Sequence, residues 1–121
     1  MPGTLIVSEA TIVSRNAIGA QNAPGIWQED HIASWKNITS AVHAKGCAIY
    51  CQLWHQGRAA RTDALDAEGI TLVSSSAVPI TPQDRTPVEM TEEMIWETVA
   101  DYASAAKNAI AAGFDLSLIH I

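Results

Sequence analysis

The feature that most constrains the fold is a direct joint between a helix pattern and a strand pattern at Lys45-Gly46. Before this joint, apolar residues recur at steps of three and four, which predicts a helix with one buried face. The acids within residues 28–30 favour its start, and Lys45-Gly46 favours its end. Residues 47–53 then form an apolar run with β-branched and aromatic members, which predicts a buried strand. The predicted buried face of the helix consists of Ile32, Trp35, Ile38, Thr39 and Val42.

Similar patterns lie on both sides of this unit. Residues 5–13 begin as a continuous apolar run, which is typical of a strand covered on both faces, and Glu9 and Ala10 are expected to end it. Thr91 and the two acids after it predict the start of a second helix, which Gly113 ends. Residues 116–121 read as a further buried strand. The apolar stripe of the second helix consists of Ile95, Val99, Tyr102, Ala106 and Ile110.

Alternating strands and helices with short joints predict an α/β fold with a parallel sheet, either open or closed into a barrel. Residues 59–90 interrupt this alternation as a long excursion. Gly69 breaks a possible short helix there, residues 71–73 form a possible brief strand, and three prolines exclude long regular structure. Excursions of this length inside compact domains are usually functional or disordered.

A polar amide, Gln52, lies at the C-terminal end of the central strand, where α/β folds place ligand contacts. With a period of two, it shares a face with Ala48 and Tyr50. The amide could equally be a satisfied polar end of the strand, and Trp54 could be packing alone. Arg58 is expected to pair with acids of the excursion.

Composition excludes several classes of function. A formal net charge of −6 argues against binding to a phosphate backbone, so no nucleic-acid partner is expected. No apolar run is long enough to span a membrane, and no signal peptide is visible, so we expect a cytoplasmic protein. Cys47 and Cys51 lie on one face of a strand about 13 Å apart, too far for a disulfide. Neither they nor His31 and His43 have the spacing of a metal site.

Beyond these patterns, the sequence resembles the old yellow enzyme family of flavin-dependent ene-reductases. The resemblance covers nearly the whole chain up to Asp115 and depends on several motifs in the family's order. The motifs are Leu5-Ile6-Val7-Ser8-Glu9-Ala10-Thr11, Ala23-Pro24-Gly25-Ile26-Trp27, Gln52-Leu53-Trp54-His55-Gln56-Gly57-Arg58 and Ala105-Ala106-Lys107-Asn108-Ala109-Ile110-Ala111-Ala112-Gly113-Phe114-Asp115.

This resemblance implies a TIM barrel of eight βα units that holds FMN at the C-terminal ends of its strands. A full barrel needs about 250 residues. Residues 1–121 are therefore expected to form a single incomplete segment of the barrel, roughly strands two to four with their helices, with the barrel not closed. We expect such a fragment to retain little or no FMN by itself.

The resemblance also implies roles for four residues. Gln52 matches the glutamine that hydrogen-bonds the pyrimidine edge of the flavin, and Ala10 matches a small residue whose backbone faces the flavin. His120 matches the histidine that binds the substrate oxygen, and Trp54 lines the substrate side. Residues 116–118 depart from the glycine, valine and glutamate that usually stand there, whereas Ile119 matches the isoleucine before this histidine.

The function implied is hydride transfer from NADPH or NADH through FMN to an activated alkene. The substrates would be α,β-unsaturated carbonyl or nitro compounds. Two alternatives stay open: a truncated product without catalytic activity, and a small α/β binding module. Uncovered apolar surface would make the truncated product aggregate, whereas the binding module would be a compact monomer without flavin.

Overall fold

The computed structural model describes residues 1–119, which alternate between strands and helices as the sequence predicts. Two short 3₁₀ turns lie outside the labelled elements, at Arg15–Ala17 and Gly57–Ala59. The elements in chain order are β1 (Leu5–Ile12), α1 (Glu29–His43), β2 (Ala48–Trp54), α2 (Thr62–Glu68), β3 (Val73–Ser74), β4 (Val88–Glu89), α3 (Glu92–Ala111) and β5 (Leu116–Ile119).

The main sheet has three parallel strands in the order β1-β2-β5. Helix α1 connects β1 to β2, and the excursion with α3 connects β2 to β5. Within residues 1–119 the sheet does not close on itself. The prediction of an α/β fold with a parallel, unclosed sheet is therefore confirmed.

One face of the sheet is covered by α1 and α3. The alternation predicted for β2 is confirmed, because Ile49, Cys51 and Leu53 are buried while the residues between them are half-buried. Both cysteines are free thiols. The core between sheet and helices consists of Ile12, Val13, Ala17, Ile26, Ile32, Trp35, Ile49, Cys51, Leu53, Ala105, Ala109, Ala112 and Phe114.

Buried polar bonds join the helices to each other and to the loop before α1. The Thr39 hydroxyl of α1 donates to the backbone oxygen of Ala112, just after α3, at 2.7 Å. The Trp35 indole N–H donates to the backbone oxygen of Gly25 at 3.0 Å. These bonds satisfy groups that would otherwise be buried without partners, and so they fix the packing of the two helices.

The other face of the sheet, called here the open face, is uncovered by any other part of residues 1–119. It contains Ala48, Tyr50, Gln52 and Trp54 of β2, Leu5, Val7 and Ala10 of β1, and Leu116 and Leu118 of β5. Among these residues, Leu5 and Leu116 are each 51% exposed, and Val7 is 45% exposed. The expectation that β1 is covered on both faces is wrong for the described residues, because they supply helices to one side alone.

Strand β1 also does not end at Glu9 and Ala10 as expected but continues to Ile12. Its pairing with β2 shifts by one residue between Val7 and Ala10, which makes a β-bulge. The polar residues at the bulge belong to the strand, since pairing resumes immediately after them.

Helix α3 begins and ends where the sequence predicts. The Thr91 hydroxyl accepts a hydrogen bond from the Met94 N–H at 3.2 Å, and Gly113 follows the helix in the left-handed conformation with φ +88°. The buried face, however, consists of Ala105 and Ala109, while most of the predicted stripe is exposed. Ile38 of α1 is exposed as well. Small side chains face the sheet because they let the helix backbone approach closely.

The excursion has secondary structure of its own. Helix α2 ends at Gly69, which has φ +66°, and β3 pairs with β4 in parallel. A two-bond ion pair joins Arg85 to Asp66 at 2.8 Å for both N–O distances. The expectation that Arg58 pairs with an acid is wrong, because its guanidinium donates to the backbone oxygen of Val78 at 3.2 Å.

A carboxylate joins the N-terminal end of β2 to the start of β5. One oxygen of Asp115 accepts the Ile49 N–H at 2.7 Å and lies 2.9 Å from His43 Nε2. The hydrogen bond from the Ile49 backbone, followed by that from His43, lowers the pKa of Asp115. These bonds lie at the N-terminal end of the strands, and Gln52 lies near the opposite, C-terminal end.

Candidate functional site

Gln52 and Ala10 lie side by side on the open face near the C-terminal ends of β2 and β1. The register pairs Gln52 with Ala10 on one side and with Leu118 on the other. Gln52 is thus neither turned toward the helices nor part of an antiparallel sheet. Trp54 lies two residues further along the same face of β2 and is half-buried.

The side-chain amide of Gln52 is available to a ligand. Among residues 1–119 it has no hydrogen-bond partner, whereas the backbone N–H of the same residue is bonded. An amide offers a donor and an acceptor together. The arrangement can therefore bind the edge of a planar ring that displays both kinds of group. On the β1 side, its neighbour Ala10 adds only a methyl group.

A group of hydroxyls holds the bulge next to Gln52. The Gln52 N–H donates to Ser8 Oγ at 3.0 Å, and the Ser8 hydroxyl donates to the Glu9 backbone oxygen at 2.8 Å. The buried Thr11 hydroxyl donates to the same oxygen at 2.9 Å. Sequence reasoning missed this role, because polar residues within an apolar run look like a strand end. Bulges are rare in parallel pairs and frequent beside active sites.

The side chain of His55, which follows Trp54, lines a cavity that Gln52 and Ala10 do not line. Its Nδ1 accepts the Gly57 N–H at 3.0 Å, so the neutral ring carries its proton on Nε2. Burial lowers the pKa of His55, and the charge of Asp101 opposes part of that shift. The ring lines a cavity of about 390 Å³ beside α3, with Arg15 and Glu97 in its walls.

His120, expected to bind the substrate oxygen, lies outside the described residues. In the described part of the chain, no group of three or more His, Cys, Asp or Glu side chains is placed to hold a metal ion. No helix within residues 1–119 has the length and apolar character needed to cross a bilayer.

Comparisons with known proteins agree with this geometry. The reductase easA of Epichloe festucae var. lolii, named as probably inactive, is 50% identical over 121 residues, which are 99% of this chain and 32% of that protein. The chanoclavine-I aldehyde reductase fgaOx3 of Penicillium roqueforti is 52% identical, with 99% and 33% covered. The crystal structure of Old Yellow Enzyme from Pichia sp. matches with a TM-score of 0.91 and 36% identity, over 97% of this chain and 33% of that one.

The chain thus spans about a third of the length of the relatives it matches. A model of the NADH:flavin oxidoreductase / NADH oxidase family matches residues 1–121, which is the whole sequence. The match of this family model to all 121 residues carries the assignment, and the parallel strands agree with it. This chain belongs to the NADH:flavin oxidoreductase / NADH oxidase family.

Proposed function

We propose that this chain is part of an FMN-dependent oxidoreductase that passes hydride from NADPH or NADH to activated alkenes. The substrates would be α,β-unsaturated carbonyl or nitro compounds. Family membership supports the use of a flavin. A relative that is 51% identical, from Aspergillus flavus, is named an NADP-dependent oxidoreductase, which supports a nicotinamide donor. The observation that carries the proposal is the Gln52 amide on the open face, which has no hydrogen-bond partner within residues 1–119.

The residues of the open face fit a flavin. The pyrimidine edge of its ring displays donors and acceptors, which the carboxamide of Gln52 can match. Ala10 beside it adds no polar group and little bulk. In this proposal Gln52 and Ala10 hold the ring edge, and the flavin, when bound, supplies the hydride chemistry.

Substrate binding is proposed for Trp54 and His120. Trp54 lies on the same face of β2 as Gln52, two residues further toward the C-terminal end of the strand. His120 would donate a hydrogen bond to the carbonyl or nitro oxygen and so stabilise negative charge that develops there. A small electrophilic alkene as partner and a cytoplasmic location stay predictions.

The proposal is tested by titrating the isotope-labelled chain with a large excess of FMN, because NMR detects binding too weak for the fragment to retain the cofactor. We expect the NMR signals of the Gln52 side-chain amide and of Ala10 to shift together, and Gln52→Leu to remove the response. Gln83→Leu, an exposed glutamine of the excursion, is the matched control and leaves the shifts in place. Shifts confined to other parts of the chain, or an unaltered response in Gln52→Leu, would contradict the role of the amide.

A second candidate is a protein without catalytic activity. It is favoured by the name of the 50% identical relative, a probable inactive reductase, and by the exposed apolar residues of the open face. Size-exclusion chromatography separates the candidates. Aggregation supports the non-catalytic product, a compact monomer that responds to FMN contradicts it, and a compact monomer without any response supports the binding module.

A further inference from the structure

The bulge decides which side chain of β1 lies beside Gln52. Before the bulge, Val7 pairs with Tyr50, and after it Ala10 pairs with Gln52. Two steps along β2 lead from Tyr50 to Gln52, but two steps along β1 lead from Val7 only to Glu9. Since paired residues in a regular ladder advance together, a sheet without the bulge would place Glu9 next to Gln52 on the open face.

The Ser8 hydroxyl joins β1 to β2 at the bulge. A bulge leaves one residue of the strand unpaired and locally disrupts the backbone bonds. At this point the Gln52 N–H donates to the hydroxyl of Ser8 at 3.0 Å. The Ser8 hydroxyl in turn donates to the Glu9 backbone oxygen at 2.8 Å, so both sides of the disrupted ladder are bonded through one side chain.

We propose that Ser8 is a positioning residue whose hydroxyl holds the bulge and thereby sets Ala10, rather than Glu9, beside the Gln52 amide. This inference rests on the proposed function, in which the ring edge of FMN lies against these two residues. A carboxylate in place of the methyl of Ala10 would occupy the space beside the amide. It would also place a negative charge against a ring that gains negative charge when it accepts hydride, which is unfavourable near a low-dielectric surface.

The test compares Ser8→Thr with Ser8→Val in the labelled 121-residue chain. These side chains have nearly the same shape, and only threonine keeps the hydroxyl. We expect the Gln52 N–H to exchange with solvent about three- to tenfold faster in Ser8→Val, the factor expected for one net hydrogen bond. Ser8→Thr keeps the original rate, as does the control Ser40→Ala on the exposed side of α1. The nuclear Overhauser contact between Ala10 and Gln52 is lost only in Ser8→Val.

A second readout uses FMN as the probe. We expect its apparent dissociation constant to rise by a similar factor in Ser8→Val and to stay unchanged in Ser8→Thr. Equal Gln52 exchange in the two variants, or a retained Ala10 contact in Ser8→Val, overturns the positioning role. If no variant, including the unsubstituted chain, responds to FMN, the proposed function fails, and the exchange rates and the Ala10 contact alone decide the role of Ser8.

Discussion

Replacing Gly113 by alanine should destabilise the protein more than the loss of an ordinary helix-end glycine. Gly113 follows α3 with φ +88°, a conformation that residues with a Cβ adopt at a cost. A Cβ built there would lie 2.8 Å from Thr39 Oγ1. That hydroxyl donates the 2.7 Å bond to the Ala112 oxygen in the core, so the new methyl group would have to displace the bond between α1 and the end of α3.

The expected magnitude has two parts. A left-handed alanine costs about 1–2 kcal/mol of unfolding free energy. A buried carbonyl that loses its partner costs a further ~1–3 kcal/mol. Gly69 provides the matched control, because it ends α2 with φ +66° and a Cβ there meets no atom within 4 Å. We therefore expect Gly69→Ala to lose only the first part, about 1–2 kcal/mol, and Gly113→Ala to lose both.

The assay is urea unfolding followed by far-UV circular dichroism, repeated in a Thr39→Ala background. The Cβ of Thr39 would lie 3.5 Å from the new methyl group, an ordinary contact, so truncating Thr39 removes the conflict. In that background we expect Gly113→Ala to cost no more than Gly69→Ala, which is the signature of coupled residues in a double-mutant cycle. The reasoning would be refuted if the two glycine variants lost equal unfolding free energy in the original background. It would also be refuted if the difference between their losses stayed the same in the Thr39→Ala background.

Two further predictions concern the core and the pH dependence. Leu53 is 0% exposed, so Leu53→Ala should cost about 3 kcal/mol in urea unfolding, and a loss no larger than that of Leu118→Ala on the open face would contradict the assigned core. The pKa of Asp115 lies below its ordinary value of 3.8 because of its bonds to Ile49 and His43, so its stabilising effect is complete above that value and is lost as the pH falls through the lowered pKa. Asp115→Asn should therefore flatten the decline of unfolding free energy between about pH 5 and about pH 2, and an unaltered decline would show that another group is responsible.

The helices cover one side of the sheet and leave the other side, with Gln52 and its neighbours, uncovered within residues 1–119. Exposed leucines and valines at this density are unusual on the surface of a monomeric protein and mark places where other groups bind. The same face carries both the proposed flavin contact and the apolar surface that favours aggregation, so the FMN titration and the chromatography examine one surface in two ways.

Sequence reasoning succeeded where the cause is local. The start of α3 at Thr91 and the ends of α2 and α3 at Gly69 and Gly113 follow from capping and from the conformational freedom of glycine. The alternation of β2 likewise follows from the period of two along a strand. This period of two predicted that Gln52 lies on the face of the sheet opposite Leu53.

It failed where the answer depends on a neighbouring element. Glu9 and Ala10 look like a strand end, yet they continue β1 because the pairing with β2 absorbs one extra residue in a bulge. The larger apolar residues of α3 look like its buried face, yet Ala105 and Ala109 are buried because close approach to the sheet favours small side chains.

The amino-acid sequence alone determined the alternation of strands and helices, the parallel sheet and the amide at the end of β2, because periodicity and capping act within a few residues along the chain. Only the tertiary structure decided what lies beside that amide. The neighbours of Gln52 depend on strand register, which is set by hydrogen bonds between residues such as Ser8 and Gln52 that are far apart in sequence.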